Sequence, residues 1–342
     1  MAICELEGTA AALVAEGKGI LAADETPKTL TKRFDALKID STPVTRRSYR
    51  EMLFSATDIA RFISGVIMQD ETIHQQSSIG TPFADMLAEQ GIIPGIKVDT
   101  GAKRLAGRTA EDITEGLDGL RDRLKDYAQM GARFAKWRAV IRVGDGLPTR
   151  RCVLANAHAL ARYAAVCQEQ GLVPIVEPEV LMDGSHTIER CEEVTGNVLQ
   201  ATFDALFEHE VGLEGILLKP NMIVAAKECP RQAPVEEAAR ATMHCLRRRV
   251  PAAVPGIVFL SGGQNHLAAT RHLNAINQLD GPKPWKLSFS FGRALQDEAL
   301  RAWHGAPENV EAGRQAFAHR ARCAMAAALG KYGGRMESEL AA

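Results

Sequence analysis

Short apolar runs recur along the chain, each flanked by glycine or proline. They read GILAADE (19–25), SGVIMQDE (64–71), GIKVD (95–99), FAKWRAV (134–140), PIVEPE (174–179), GILLKPN (215–221), GIVFLSGG (256–263) and KLSFSFG (286–292). Runs this short between turn residues predict buried strands. Their starts lie roughly 30 to 45 residues apart, room for a strand, two loops and a helix. The intervals carry helical patterns. Residues 150–171 place apolar side chains at helical spacing and close on Gly171, a natural C-cap. Residues 234–250 open on a proline and two glutamates and close on Arg247, Arg248 and Arg249, which suits the helix dipole at both ends. Those arginines read as a solvated last turn rather than a nucleic-acid patch.

Eight βα units in order predict an α/β fold with a parallel sheet, and eight is the number that closes a (β/α)8 TIM barrel. A doubly wound open sheet is the alternative. No GxGxxG follows any run, which removes that fold's usual nucleotide-binding form. A single domain is expected over 1–342. A helix after residue 306 lies outside the eight units, and 333–342 (GGRMESELAA) is expected to be a flexible tail.

Composition narrows the function. The 342 residues are 46% hydrophobic and 24% charged, an ordinary globular balance. The formal net charge of −1 offers no global field for nucleic acid or a membrane surface. Neither partner is expected, so phosphate chemistry must use locally placed cations. Seven cysteines without a CxxC pair suggest reduced thiols and a cytoplasmic location. The N-terminus carries Glu5 and Glu7 and no basic segment, unlike a signal peptide, and no apolar run reaches the roughly 18 residues that span a bilayer.

Strand side chains alternate faces, so Lys136 and Arg138 share one, Glu177 and Glu179 another, and Lys97 and Asp99 a third. In a closed barrel the outer face meets helices and is apolar, so these charges must point into the barrel or its mouth. Asp24, Lys97, Lys136, Arg138, Glu177, Glu179 and Lys219 end five different runs at the same end, where barrel enzymes place their sites. One lysine at a strand end is most often a solvated rim residue. A convergent set is costly to bury unless paired, which favours function.

Two lysines beside two carboxylates suit amine chemistry. A lysine must be neutral to attack a carbonyl, and a reference pKa of about 10.4 leaves about one part in several thousand neutral at pH 7. Desolvation and a neighbouring cation lower a lysine's pKa. Lys219 follows three apolar residues and is placed to face Lys136. Expelling water from the adduct needs a proton shuttle, a task for Glu177 beside Glu179. The last two runs end in small donors, Ser261, Gly262 and Gly263, then Ser290, Gly292 and Arg293, where such barrels commonly bind phosphate. Lys32-Arg33 and Arg46-Arg47 follow the first run and read either as helix surface or as a second phosphate clamp. The histidines form no HExxH and none falls within the eight runs, so no catalytic metal and no cofactor are expected.

The motifs GKGILAADET, GIKVD, FAKWR, VPIVEPE, LLKPNM, FLSGGQ, LNAIN and SFGRALQ, in order from about residue 17 to about residue 332, closely resemble those of the class I, metal-independent fructose-bisphosphate aldolases. The resemblance implies a (β/α)8 barrel, a cytosolic homotetramer, and glycolytic or gluconeogenic cleavage of fructose 1,6-bisphosphate to dihydroxyacetone phosphate and glyceraldehyde 3-phosphate. By motif position Lys219 matches the Schiff-base lysine and Glu177 the acid/base of carbinolamine dehydration. Asp24 matches the carboxylate near the C4 hydroxyl, with Glu179 and Lys136 as its charge partners. Ser261, Gly262, Gly263 and Arg293 match the ketose-side phosphate site, with Ser290 beside them. Lys32, Arg33, Lys97, Arg138 and Arg46 match sugar and distal phosphate contacts. Animal members end in a tyrosine that helps move the C3 proton; this chain ends SELAA, and Tyr332 does not match it. Phe291 stands where the family usually has tyrosine. A related Schiff-base lyase favouring fructose 1-phosphate or sedoheptulose bisphosphate, and a binding barrel without catalysis, are the other readings.

Overall fold

The structure is a computed structural model that describes residues 3–107 and 110–338. Eight parallel strands close a barrel: β1 (Gly19–Ala22), β2 (Ile63–Met68), β3 (Ile93–Lys97), β6 (Phe134–Ile141), β7 (Val173–Val180), β8 (Leu217–Leu218), β9 (Gly256–Phe259) and β10 (Lys286–Phe291). Closure is made by β10 pairing with β1, Ile20 opposite Ser290. The expected doubly wound alternative is thereby excluded. The expected helices run Arg150–Glu169 and Val235–Arg249, and the extra C-terminal helix runs Val310–Ala328.

Two features were not anticipated. An antiparallel hairpin, β4 (Gly101–Arg104) and β5 (Asp112–Glu115), follows β3. Its first strand is GAKR, largely exposed and without apolar alternation, so no pattern announces it. The first helix, Ile3–Leu13, stoppers the barrel where the strands begin. Its Leu6, Ala10 and Leu13, with Val14, share a buried cluster with Ile20, Ile67, Phe134, Val173, Leu217 and Val258 from the strands. A Cβ on Gly256 would stand 2.5 Å from Val14 Cγ1, so glycine there is what lets the stopper seat.

Alternation then separates the two barrel faces. Ala135, Trp137 and Ala139 of β6 turn outward into the helix layer, where Trp137 stacks on Tyr163 at 5.6 Å. Phe134 turns inward. Full burial of such side chains contributes roughly 1.5–3 kcal/mol each and holds the register on which the site depends.

Part of the segment expected to be a loose tail is tied down. Gly334–Glu337 form a 3-10 turn, and Glu337 accepts from Tyr332 Oη at 2.6 Å and pairs with buried Arg320. Residues 339–342 lie outside the described residues.

Candidate active site

The site follows from one step of the strand period. Inside the barrel, Ala22 on β1, Ile175 on β7 and Leu217 on β8 belong to the apolar layer. Two residues onward on the same face come Asp24, Glu177 and Lys219. Phe134 on β6 is followed likewise by Lys136 and then Arg138. Four strands thus change from apolar to charged at the same height, at their C-terminal ends.

The charges form a connected network. Lys136 Nζ lies 2.7 Å from Asp24 Oδ2, 3.5 Å from Glu177 Oε2 and 3.9 Å from Asp99 Oδ2. Lys219 Nζ lies 3.4 Å from Glu177 Oε1. Lys97 Nζ reaches Asp99 Oδ1 at 2.9 Å, and Arg138 pairs closely with Glu179. Lys136, Glu177, Glu179 and Lys219 are all buried, at 3–5% exposure.

Burial opposes an isolated charge, and pairing with an opposite charge offsets that cost. For Asp24, burial raises the pKa, but Lys136, Lys219 and Lys97 outweigh it and hold the carboxyl well below its usual range. Burial likewise opposes the charge on Lys136, and Asp24, Glu177 and Asp99 together raise its pKa above the ordinary lysine value. Asp24 is thus a fixed acceptor and Lys136 a fixed cation. Glu177 Oε2 makes no hydrogen bond although it is buried.

Lys219 sits where the ladder thins. Strand β8 is only Leu217–Leu218, although the sequence run is longer. Lys219 N still donates to Val176 O at 2.8 Å. Pro220 has no N–H to continue the ladder. Asn221 replaces it with a side chain: its Oδ1 accepts from Val180 N at 3.1 Å, and its Nδ2 donates to Thr195 Oγ1 at 3.1 Å. The amide therefore ties the end of β8 to the end of β7, which carries Glu177 and Glu179.

A cavity of about 630 Å³ opens over this network. Asp24, Lys97, Lys136, Arg138, Glu177, Glu179, Lys219, Lys32, Arg33, Ser261, Gly262, Gly263, Ser290 and Arg293 all line it. Gly262 and Gly263 have φ of +58° and +84°, a left-handed backbone that favours glycine. Arg293 begins the helix Arg293–Trp303, whose N-terminal dipole end favours an anion. Buried Ser290 Oγ has no hydrogen-bond partner. In the ring of strands β9 and β10 lie across the barrel from β3 and β6, so this cradle faces Lys97 and Arg138 over the mouth.

Arg33 is held by Glu25 Oε1 at 2.5 Å and Asp297 Oδ1 at 2.9 Å, so it stands on the β10 side of the mouth. Arg46 is not brought to the site. Glu71 engages it at 2.7 Å through Nη2 and at 2.9 Å through Nε, and it does not line the cavity. Glu71 ends the SGVIMQDE run, and its return onto the helix Pro43–Phe54 is a tertiary contact with no sequence period.

Sequence reasoning missed Glu25, Asp183 and Lys227 as cavity residues. Glu25 was legible as the neighbour of Asp24. Asp183 and Lys227 lie in loops, where no alternation reports direction. Phe291 is buried, its ring 5.4 Å from Phe289, and Tyr332 does not line the cavity. Among the described residues, one cluster has metal-ligating types close together: His319, Cys323 and Glu337, within 4.8 Å of one another. None of them lines the mouth, and Arg320 and Tyr332 already occupy the Glu337 carboxylate. No helix among the described residues is long and apolar enough to cross a membrane.

Residues 5–342 match the family model described as "Glycolytic: Fructose-bisphosphate aldolase class-I". A "Probable fructose-bisphosphate aldolase class 1" of Xanthomonas campestris pv. campestris is 54% identical over 335 residues, spanning 98% of this chain and 100% of the relative. "Fructose-bisphosphate aldolase 6, cytosolic" of Arabidopsis thaliana is 53% identical over 330 residues, covering 96% of this chain and 92% of its own. Among solved structures, the fructose-bisphosphate aldolase of Plasmodium falciparum, in complex with TRAP and a small-molecule inhibitor, superposes with a TM-score of 0.95 at 48% identity, covering 97% of this chain and 96% of that one.

Proposed function

The chain belongs to the class I fructose-bisphosphate aldolase family, and we infer that the charged mouth runs that family's reaction on Lys219. The enzyme is a lyase that cleaves fructose 1,6-bisphosphate reversibly to dihydroxyacetone phosphate and glyceraldehyde 3-phosphate. The observation that carries the residue assignment is the bridging of Lys219 and Lys136 by the buried Glu177 carboxylate.

In this reading the Lys219 amine attacks the C2 carbonyl of the open-chain ketose. The N–C2 bond forms, and the carbonyl oxygen is protonated and leaves as water. Glu177, within 3.4 Å of Nζ, passes those protons. The resulting iminium withdraws electrons from C3. Asp24, kept ionised by Lys136, accepts the C4 hydroxyl proton as the C3–C4 bond breaks. The aldehyde phosphate departs, and C3 of the remaining enamine is protonated. Water then releases dihydroxyacetone phosphate and restores Lys219. Glu179, held by Arg138, adds negative charge behind this network.

The phosphates would occupy opposite sides of the mouth. Ser261, Gly262, Gly263, Ser290 and Arg293 offer donors on one side, and Lys97 and Arg138 cations on the other. Lys32 and Arg33 line the wall between these sides, after β1. Two cationic sides favour a bisphosphate over a monophosphate. Steady-state cleavage of fructose 1,6-bisphosphate and fructose 1-phosphate tests this: kcat/KM should be higher for the bisphosphate. Equal values would remove the distal site. Family resemblance supports a homotetramer, and the free cysteines and the cytosolic naming of plant relatives support a cytoplasmic location.

A further inference from the structure

A cation that no barrel strand supplies stands over the phosphate cradle. Lys227 lies in the loop after β8. Ala226, Lys227 and Glu228 donate their backbone N–H groups to the carbonyls of His186, Met182 and Gly184, each at 2.9 Å. That ladder fastens the segment to the loop after β7 and fixes where the lysine stem begins. The stem turns into the mouth cavity. A Cβ on Gly263 would stand 3.2 Å from Lys227 Nζ and also 3.2 Å from Arg293 Nη2. Two cations, one from a loop and one from the first residue of the helix Arg293–Trp303, therefore bracket one backbone position of the cradle, in the cavity that the unpartnered Ser290 hydroxyl also lines. The Lys227 ammonium is meanwhile held by Asp183 Oδ1 at 2.8 Å. Both partners of that pair are about half exposed, at 47% and 60%, so the pair contributes little and exchanges readily.

We propose that Lys227 is a phosphate ligand of the mouth, sharing with Arg293 the phosphate seated on Ser261–Gly263, with Asp183 as the group it leaves when phosphate arrives. The inference rests on the aldolase reading and adds a specificity residue to it. A phosphate dianion carries more charge than the Asp183 carboxylate and offers three acceptor oxygens to the same ammonium.

The test is calorimetric binding of inorganic phosphate, alongside steady-state cleavage of fructose 1,6-bisphosphate, for the full-length wild type, Lys227→Met, Lys227→Arg and Asp183→Asn. Lys227→Met should weaken phosphate binding and raise KM by about 5- to 20-fold, with kcat within about twofold, the signature of lost ground-state binding. Lys227→Arg should restore most of the affinity. Asp183→Asn should tighten phosphate binding in the wild type and change nothing in the Lys227→Met background. A folded Lys227→Met enzyme with unchanged phosphate affinity and unchanged KM overturns the proposal. A wild type that binds phosphate through Lys227 yet cleaves no fructose 1,6-bisphosphate removes the aldolase reading and leaves the phosphate site standing.

Discussion

Glu177 stands between two lysines, with Oε1 3.4 Å from Lys219 Nζ and Oε2 3.5 Å from Lys136 Nζ. One carboxylate thus touches both the proposed nucleophile and the fixed cation that holds Asp24. Glu177→Gln keeps the shape and loses the proton shuttle. Its kcat should fall by about 10²- to 10⁴-fold, the usual worth of a positioned acid/base. Rapid-quench measurement should place the loss in formation of the Lys219 adduct. A normal rate of adduct formation in this variant would assign the shuttle elsewhere.

Asp24 acts at a later step in this reading. Asp24→Asn should form the adduct with dihydroxyacetone phosphate and yet cleave fructose 1,6-bisphosphate at least about 10²-fold more slowly. Loss of both activities together would mean that Asp24 only holds the site's shape.

The same carboxylate links stability to pH. Its folded-state pKa lies below the ordinary value of 3.8, so its stabilising pairing is present above that value and is lost as pH falls toward the folded-state pKa. Denaturant melts from about pH 5 downward should therefore lose stability more steeply in the wild type than in Asp24→Asn. Parallel curves would show that the Lys136 pairing is not stabilising.

Asn221 is a positioning residue. Asn221→Ala leaves Val180 N–H without its partner at a buried site and should cost about 1–3 kcal/mol in denaturant unfolding. The kcat should fall while the KM of the bisphosphate moves little, because β8 and β7 carry the reacting groups. Asn221→Asp keeps the acceptor and loses the donor to Thr195, so it should recover part of the rate.

Arg46 and Lys32 separate what spacing alone joined. Lys32→Ala should raise KM, because Lys32 lines the mouth. Arg46→Ala should leave KM unchanged and show its cost only in denaturant unfolding, through the lost contacts to Glu71 and Ser41. A raised KM in Arg46→Ala would return that residue to the site.

The strand ends were legible because alternation is a strict period of two. Once β6 buries Trp137 outward, Lys136 and Arg138 have only the barrel interior to face. The barrel itself followed from eight spaced apolar runs. Features without a period stayed hidden. The GAKR strand is exposed, and the stopper helix scatters its apolar residues among alanines and polar positions. Lys227 and Asp183 meet through loop geometry. Glu71 reaches Arg46 across 25 positions of sequence, a contact no local pattern encodes.

The central claim is that Lys219 carries the reaction as a Schiff base. The direct measurement is reduction with borohydride in the presence of dihydroxyacetone phosphate, followed by mass spectrometry of the digested chain. The account predicts loss of activity with one reduced adduct per chain, on Lys219, and no adduct in Lys219→Met. Full cleavage activity in Lys219→Met, or an adduct carried by another lysine, would contradict it.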